Sequence, residues 1–152
     1  MLLRYACVLV TVAAAACSPA VKGTQESGVA MASTILDPYL KIQEALAADS
    51  LDQVKANAGN LATAATALGG PAMKIDTAAV QLTAADDLAS ARDRFGVLSD
   101  AIVSYMEGFH LTTPEGVRLA FCPMANKPWL QRGDTLSNPY YGKDMPTCGE
   151  FR

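Results

Sequence analysis

Leu88-Ala-Ser-Ala-Arg-Asp-Arg-Phe-Gly-Val-Leu-Ser-Asp-Ala-Ile-Val-Ser-Tyr-Met-Glu-Gly-Phe109 is the stretch on which the fold turns. Leu88, Ala91, Phe95, Leu98, Ile102, Tyr105 and Phe109 recur at steps of three and four, so they share one face of an α-helix. Asp87, Arg92, Asp93, Arg94 and Asp100 fall on the other side, and Gly108 is placed to end the run. A helix with one apolar face must bury that face against something.

The chain supplies matching partners upstream. Ile35, Tyr39, Ile42 and Leu46 line one helical face, with Pro38 tolerable in a first turn and Ala47-Ala-Asp-Ser50 as the break. Ser50-Leu-Asp-Gln53 fits a capping box that opens a second helix. There Leu51, Val54, Ala58, Leu61, Ala65 and Leu68 step without a miss, and Gly69-Gly-Pro71 stops it. Asp76 or Thr77 is placed to cap a third helix that carries Ala78, Leu82, Ala85 and Ala89 on one face. Thr83-Ala-Ala-Asp86 offers a restart, so three or four helices are both open. Short connections between amphipathic helices predict a mainly α protein, an antiparallel three- or four-helix bundle. The many alanines favour helix and let helices approach closely. No period of repeat length recurs, so a solenoid is excluded.

After Gly108 the texture changes. Val117-Arg-Leu-Ala-Phe-Cys122 alternates as a strand does. Beyond it come four Pro and three Gly with Trp129, Tyr140 and Tyr141, and turn signals at Asn138-Pro139 and Tyr141-Gly142. This is an irregular C-terminal lobe, with a short β-hairpin as its one regular element, and it must pack on the helices to fold.

The 152 residues suffice for one domain. Residues 1–16 read as a signal peptide: a charged start through Arg4, an apolar run from Tyr5, and Ala13–Ala16 before Cys17. That run is too short to span a bilayer, which needs about 20 residues. The small residues before Cys17 resemble a bacterial lipobox, although Ala14 stands where Leu is usual. By that resemblance Cys17 is lipidated, and Ser18 resembles a signal for the outer membrane. The other reading is an ordinary secreted protein cut near Ala16. Residues 17–33 then form a lipidated N-terminus and flexible tether, and residues 34–152 the single domain. The expected localisation is periplasm-facing, with membrane attachment through the lipid alone. The net charge of −3, one unit more negative once Arg4 is removed, offers no footprint for nucleic acid.

The familiar catalytic motifs are absent: there is no G-x-S-x-G, P-loop, H-E-x-x-H or Gly-rich dinucleotide turn. The protein is expected not to be an enzyme. His110 is the only histidine, so it reads as a surface or helix-end residue. Asp86-Asp87 reads as acids suited to a first helical turn.

Sulfur is the remaining chemistry. Of four cysteines, Cys7 leaves with the signal and Cys17 carries lipid, which leaves Cys122 and Cys148. Cys122 and Met124 sit two apart, Met145 and Cys148 three apart. If the loop folds back, all four sulfurs can meet, and soft donors select Cu(I). The competing reading is a Cys122–Cys148 disulfide, permitted by export. Closing a loop of that span stabilises by ~3.5 kcal/mol in the chain-entropy model. Trp129, Tyr140 and Tyr141 read as anchors of the lobe, with an aromatic ligand platform as the sharper alternative.

The order C-P-M-A-N, W-L-Q, N-P-Y-Y-G and M-x-x-C-G-E resembles the bacterial family of domain of unknown function 3347. Tyr39-Leu-Lys-Ile-Gln-Glu-Ala-Leu46 and Arg94-Phe-Gly-Val-Leu-Ser99 are similar to its helical part. The resemblance spans about residues 35 to 150 and is carried most specifically by the C-terminal signature. Short Asn126-Lys-Pro128 and Pro146 depart from the family's pattern. The resemblance implies a small exported helical domain, found alone in lipoproteins and fused to periplasmic adaptors of copper/silver-type efflux pumps. The expected function is thus an exported lipoprotein module for heavy-metal handling. It would bind or deliver copper(I) through Cys122, Met124, Met145 and Cys148, with an efflux adaptor or another envelope protein as partner. The alternative is a disulfide-stapled structural or interaction domain with no metal role.

Overall fold

A computed structural model describes residues 29–152 of the chain. The signal peptide, Cys17 and most of the tether lie outside the described residues. Among the described residues the fold is mainly helical, with four α-helices followed by a three-stranded antiparallel sheet. The helices are α1 (Ser33–Ala47), α2 (Val54–Leu68), α3 (Met73–Thr83) and α4 (Leu88–Gly108). The strands are β1 (Val117–Cys122), β2 (Lys127–Arg132) and β3 (Glu150–Phe151), in the order β2-β1-β3. No helix among the described residues is long and apolar enough to cross a membrane.

The apolar stripes do what their spacing predicts. Ile35, Tyr39, Ile42 and Leu46 of α1 are buried, as are Val54, Ala58, Leu61 and Ala65 of α2 and Ala91, Phe95, Leu98 and Ile102 of α4. The stripes overrun the core at their ends, where Leu68 and Phe109 are exposed. Consecutive helices pack on one another, α1 on α2, α2 on α3 and α3 on α4.

Helix ends differ from expectation in specific ways. α1 begins at Ser33, so Pro38 is its sixth residue rather than part of its first turn. The capping box at Ser50 does not form. Ser50 Oγ accepts from the N–H of Asp52, and Gln53 takes a left-handed conformation (φ 60°) before α2 starts at Val54. Neither Asp76 nor Thr77 caps α3, which continues from a 3₁₀ turn at Gly70–Ala72 and carries Asp76 inside its first turn. There the carboxylate faces the positive end of the helix dipole. α3 and α4 are separate, and the break rotates Ala89 away from the core into solvent. Asp87 is the true cap of α4: its carboxylate accepts the Ser90 N–H at 2.7 Å, and the Ser90 hydroxyl closes the box. That bond is the largest cause holding the Asp87 carboxyl below its ordinary pKa. Gly69 ends α2 at φ 78°, as its sequence position predicts.

The lobe packs on the helices through β2, against α4 and α1. Tyr39 of α1 joins the two parts. Its hydroxyl bonds Ser99 Oγ of α4 at 2.7 Å and accepts the Leu130 N–H of β2 at 3.1 Å. One buried phenol therefore links two helices to the sheet, and burial pushes its pKa far above the usual value. Rings continue the seam. Tyr39 stacks on Phe95 (centroids 5.0 Å), Phe95 meets Tyr140 (5.9 Å), and Tyr140 meets Trp129 edge-on (6.0 Å). At the other end the segment before α1 is held by the loop after α4. Met31 N–H donates to Thr112 O and Thr112 N–H to Val29 O. Val29 and Met31 fall inside the stretch that the sequence reads as tether.

Candidate functional site

Cys122 is the last residue of β1 and is 0% exposed. The hairpin turn after it, with Asn126 at φ 52°, folds back so that the Ala125 N–H points at Cys122 Sγ, 3.4 Å away. β3 pairs antiparallel with β1, Ala120 opposite Phe151 and Phe121 opposite Glu150. That register carries the preceding residues, Cys148 and Gly149, alongside Cys122. The Asn138 side-chain nitrogen touches both residues, Cys122 at its sulfur and Cys148 at its carbonyl, so the two cysteines are neighbours. Burial first, and then the neighbouring Cys122, push the Cys148 thiol above its ordinary pKa. Both cysteines are free, and no disulfide joins them.

Only glycine fits at position 149. Its φ is 143°, and an added Cβ would come within 2.6 Å of Trp129 Cη2 and 2.9 Å of Phe121 O. The loop that carries Cys148 is therefore pressed against the buried indole.

Asn138 holds this arrangement. It is 0% exposed, and its side-chain amide donates to Cys148 O at 2.6 Å and to Cys122 Sγ at 3.3 Å. Its Oδ1 accepts the N–H groups of Tyr140 (2.7 Å) and Tyr141 (3.3 Å), and its own N–H donates to Pro146 O. Cys122 Sγ thus receives two N–H donors.

The loop is fastened to the helices from outside. Gln43 of α1 donates to Ser137 O at 2.7 Å. Arg92 of α4 donates to Pro139 O and Leu46 O and pairs with Asp49. Asp49 also accepts the Lys143 N–H. Desolvation alone would raise the Asp49 carboxyl. The bonds from Arg92 and Lys143, with their charges, outweigh it and hold the group below its ordinary pKa. Gly142 (φ 51°) lies so close to this pair that a Cβ would overlap Asp49 Oδ1. Arg92 and Asp100 therefore do more than solvate a helix face: Asp100 pairs with Lys127 of β2.

Of the four sulfur residues singled out by sequence, the structure brings the two cysteines side by side. Met145 is half-buried on the turn whose carbonyl accepts the Cys148 N–H. The Met124 side chain is 58% exposed, two residues beyond Cys122. No group of three or more His, Cys, Asp or Glu gathers as a metal site among the described residues. His110 is an exposed residue at φ 52° just past α4. Asp86 pairs with Lys55 on the surface. Trp129 and Tyr140 are core anchors, with Trp129 at 0% exposure. Beside the hairpin turn, Arg92, Asp93, Lys127, Tyr140 and Tyr141 line an open cavity of ≈ 540 Å³. Sequence reasoning passed over Asn138, Arg92 and Asp49. The signals at Asn138 were its turn-forming Asn-Pro pair and its place at the head of the N-P-Y-Y-G stretch.

Comparison with known proteins adds one match. The family model described as Protein of unknown function (DUF3347) matches residues 35–114. The match covers α1 to α4 and stops before Cys122. It therefore rests on the helical part rather than on the C-terminal signature that carried the resemblance most specifically. No curated protein and no solved structure matches the chain.

Proposed function

The chain belongs to the DUF3347 family, and from that premise we propose that it is an exported lipoprotein module that binds copper(I) and delivers it to an envelope partner. In this reading Cys17 anchors the mature chain on the periplasmic side of the outer membrane. The four helices form an antiparallel bundle that presents the lobe, and the protein catalyses no reaction. A heavy-metal efflux adaptor is the proposed partner.

The observation that carries the reading is the approach of Cys122 and Cys148 across 26 positions of sequence, bridged by the Asn138 amide, with two N–H donors on Cys122 Sγ. Copper(I) is a soft d¹⁰ ion satisfied by two thiolates, and sulfur ligands select it. Zinc takes four ligands from Cys, His or carboxylate, and no such set gathers among the described residues. Met145 and Met124 would supply thioether donors at the rim. The N–H donors would hold the charge of the bound thiolates.

Copper(I) titration under reductant, in competition with a chromophoric Cu(I) chelator, tests this. One equivalent should be withheld from the chelator by the wild type and none by Cys122→Ser with Cys148→Ser. Equal withholding by both proteins refutes the site.

The same approach of the thiols supports a second reading, an envelope interaction domain stapled by a Cys122–Cys148 disulfide. It predicts a melting temperature that falls on reduction; a melting curve insensitive to reductant removes it.

A further inference from the structure

The two thiols are unequal. Cys122 is fully buried at the end of β1, beneath the hairpin turn and Asn138, while Cys148 is half-buried in the loop before β3. Two N–H donors, from Ala125 and Asn138, aim at Cys122 Sγ. Among the described residues none aims at Cys148 Sγ. A reagent arriving from solvent meets Cys148 first, while Cys122 Sγ sits behind it, already held by two N–H groups.

We propose that Cys148 and Cys122 form a reversible thiol–disulfide exchange couple, with Cys148 the site of S-thiolation by small disulfides and Cys122 the resolving thiol. In the forward direction the Cys148 sulfur attacks one sulfur of the small disulfide. A Cys148 mixed disulfide forms, and half of the reagent leaves as thiolate, which takes up the proton that Cys148 gave up. Cys122 Sγ then attacks Cys148 Sγ. The Cys122–Cys148 bond forms and the second half leaves, taking up the proton of Cys122. One small disulfide is reduced to two thiols and one protein dithiol is oxidised to one disulfide. In reverse, an external thiol attacks the reachable Cys148 Sγ and Cys122 departs as thiolate. Two N–H groups already face the sulfur that departs, and donors aimed at a leaving sulfur ease its departure. The geometry therefore points to a bond made and broken under mild conditions, unlike a permanent staple.

The couple goes beyond the copper reading and does not need it, and its test contains no metal. The reduced full chain, with chelator present, is incubated with glutathione disulfide, quenched with acid, alkylated and cut with trypsin. Cys122 and Cys148 fall in separate peptides, residues 119–132 and 144–152. The wild type should form the Cys122–Cys148 disulfide and release two glutathiones per chain. Cys122→Ser should accumulate a glutathione adduct on Cys148. Cys148→Ser should modify Cys122 at least about tenfold more slowly, because reactivity follows access. A variant-free readout stands beside these: limiting iodoacetamide on the reduced wild type should label peptide 144–152 before peptide 119–132. Excess reduced glutathione should then reopen the disulfide in the folded protein. Equal labelling of both peptides, modification of Cys122 as fast as Cys148, or a bond reducible only after denaturation each overturns the proposal. Failure here with intact copper binding leaves the copper site standing, and the converse result leaves the exchange couple standing.

Discussion

Replacing Asn138 by Ala should loosen the whole C-terminal lobe. The side chain serves four groups: the Cys148 carbonyl, Cys122 Sγ and the N–H groups of Tyr140 and Tyr141. Two of those bonds, at 2.6 and 2.7 Å, are short enough to dominate. Their loss orphans one carbonyl and one buried N–H, and each orphaned group costs ~1–3 kcal/mol. Water can reach the Cys148 carbonyl in part, which sets the expected loss near 3 kcal/mol. That corresponds to a fall of roughly 10 °C in melting temperature for a domain of this size. The chain has a single tryptophan, Trp129, fully buried in the lobe. Its fluorescence reports the lobe while circular dichroism reports the helices. Urea unfolding followed by both probes is the assay. Asn138→Asp is the companion variant: it keeps the acceptor for Tyr140 but turns an oxygen towards the Cys148 carbonyl. It should be no more stable than the alanine variant at neutral pH. A loss under about 0.5 kcal/mol for Asn138→Ala, or full stability in Asn138→Asp, refutes the assignment of Asn138 as the residue that holds the tail.

Two further outcomes are expected. Tyr39→Phe removes the hydroxyl shared by Ser99 and the Leu130 N–H; with a buried N–H left unpaired, the loss should be ~1–3 kcal/mol, read by urea unfolding. Asp49 is a carboxylate with a depressed pKa in the folded state, so its contribution is present above the unfolded value near 4 and disappears as pH falls through the folded one. Asp49→Asn should therefore be less stable than wild type at pH 7 and converge with it towards pH 2, as followed by thermal melts across that range. A gap that stays constant with pH would show that the Arg92–Asp49 pair does not act through its charge.

Much of the helical part is legible in one dimension because its signal is local. A face of Ile35, Tyr39, Ile42 and Leu46 needs only the helical period to be recognised, and Gly69 needs only its freedom at φ 78° to mark an end. β1 was visible for the same reason, through its alternation. The helix starts were less legible. Ser50 and Asp87 are both good capping residues, and the choice between forming a box and a tight turn depends on where the chain must go next. Ser50 must first return its N–H to Ala45 O at the end of α1, while Asp87 is free to cap. β2 was foreseen only as the unplaced second arm of a short hairpin, because Pro128 and the buried run Trp129–Gln131 break any alternation.

The sequence by itself determined the helical faces, the first strand, the exclusion of the common catalytic motifs, and the isolation of sulfur as the remaining chemistry. Only the tertiary structure decided that Cys122 and Cys148 meet, and that Met124 stays in solvent. It also decided that Asn138, Arg92, Asp49 and Gly142 hold the tail in place. The reason is physical. Periodicity records which side of an element is apolar, over distances of three and four residues. The site is fastened by contacts between residues 10 to 94 positions apart, and these arise only after the helices have packed and given the tail a surface to close upon.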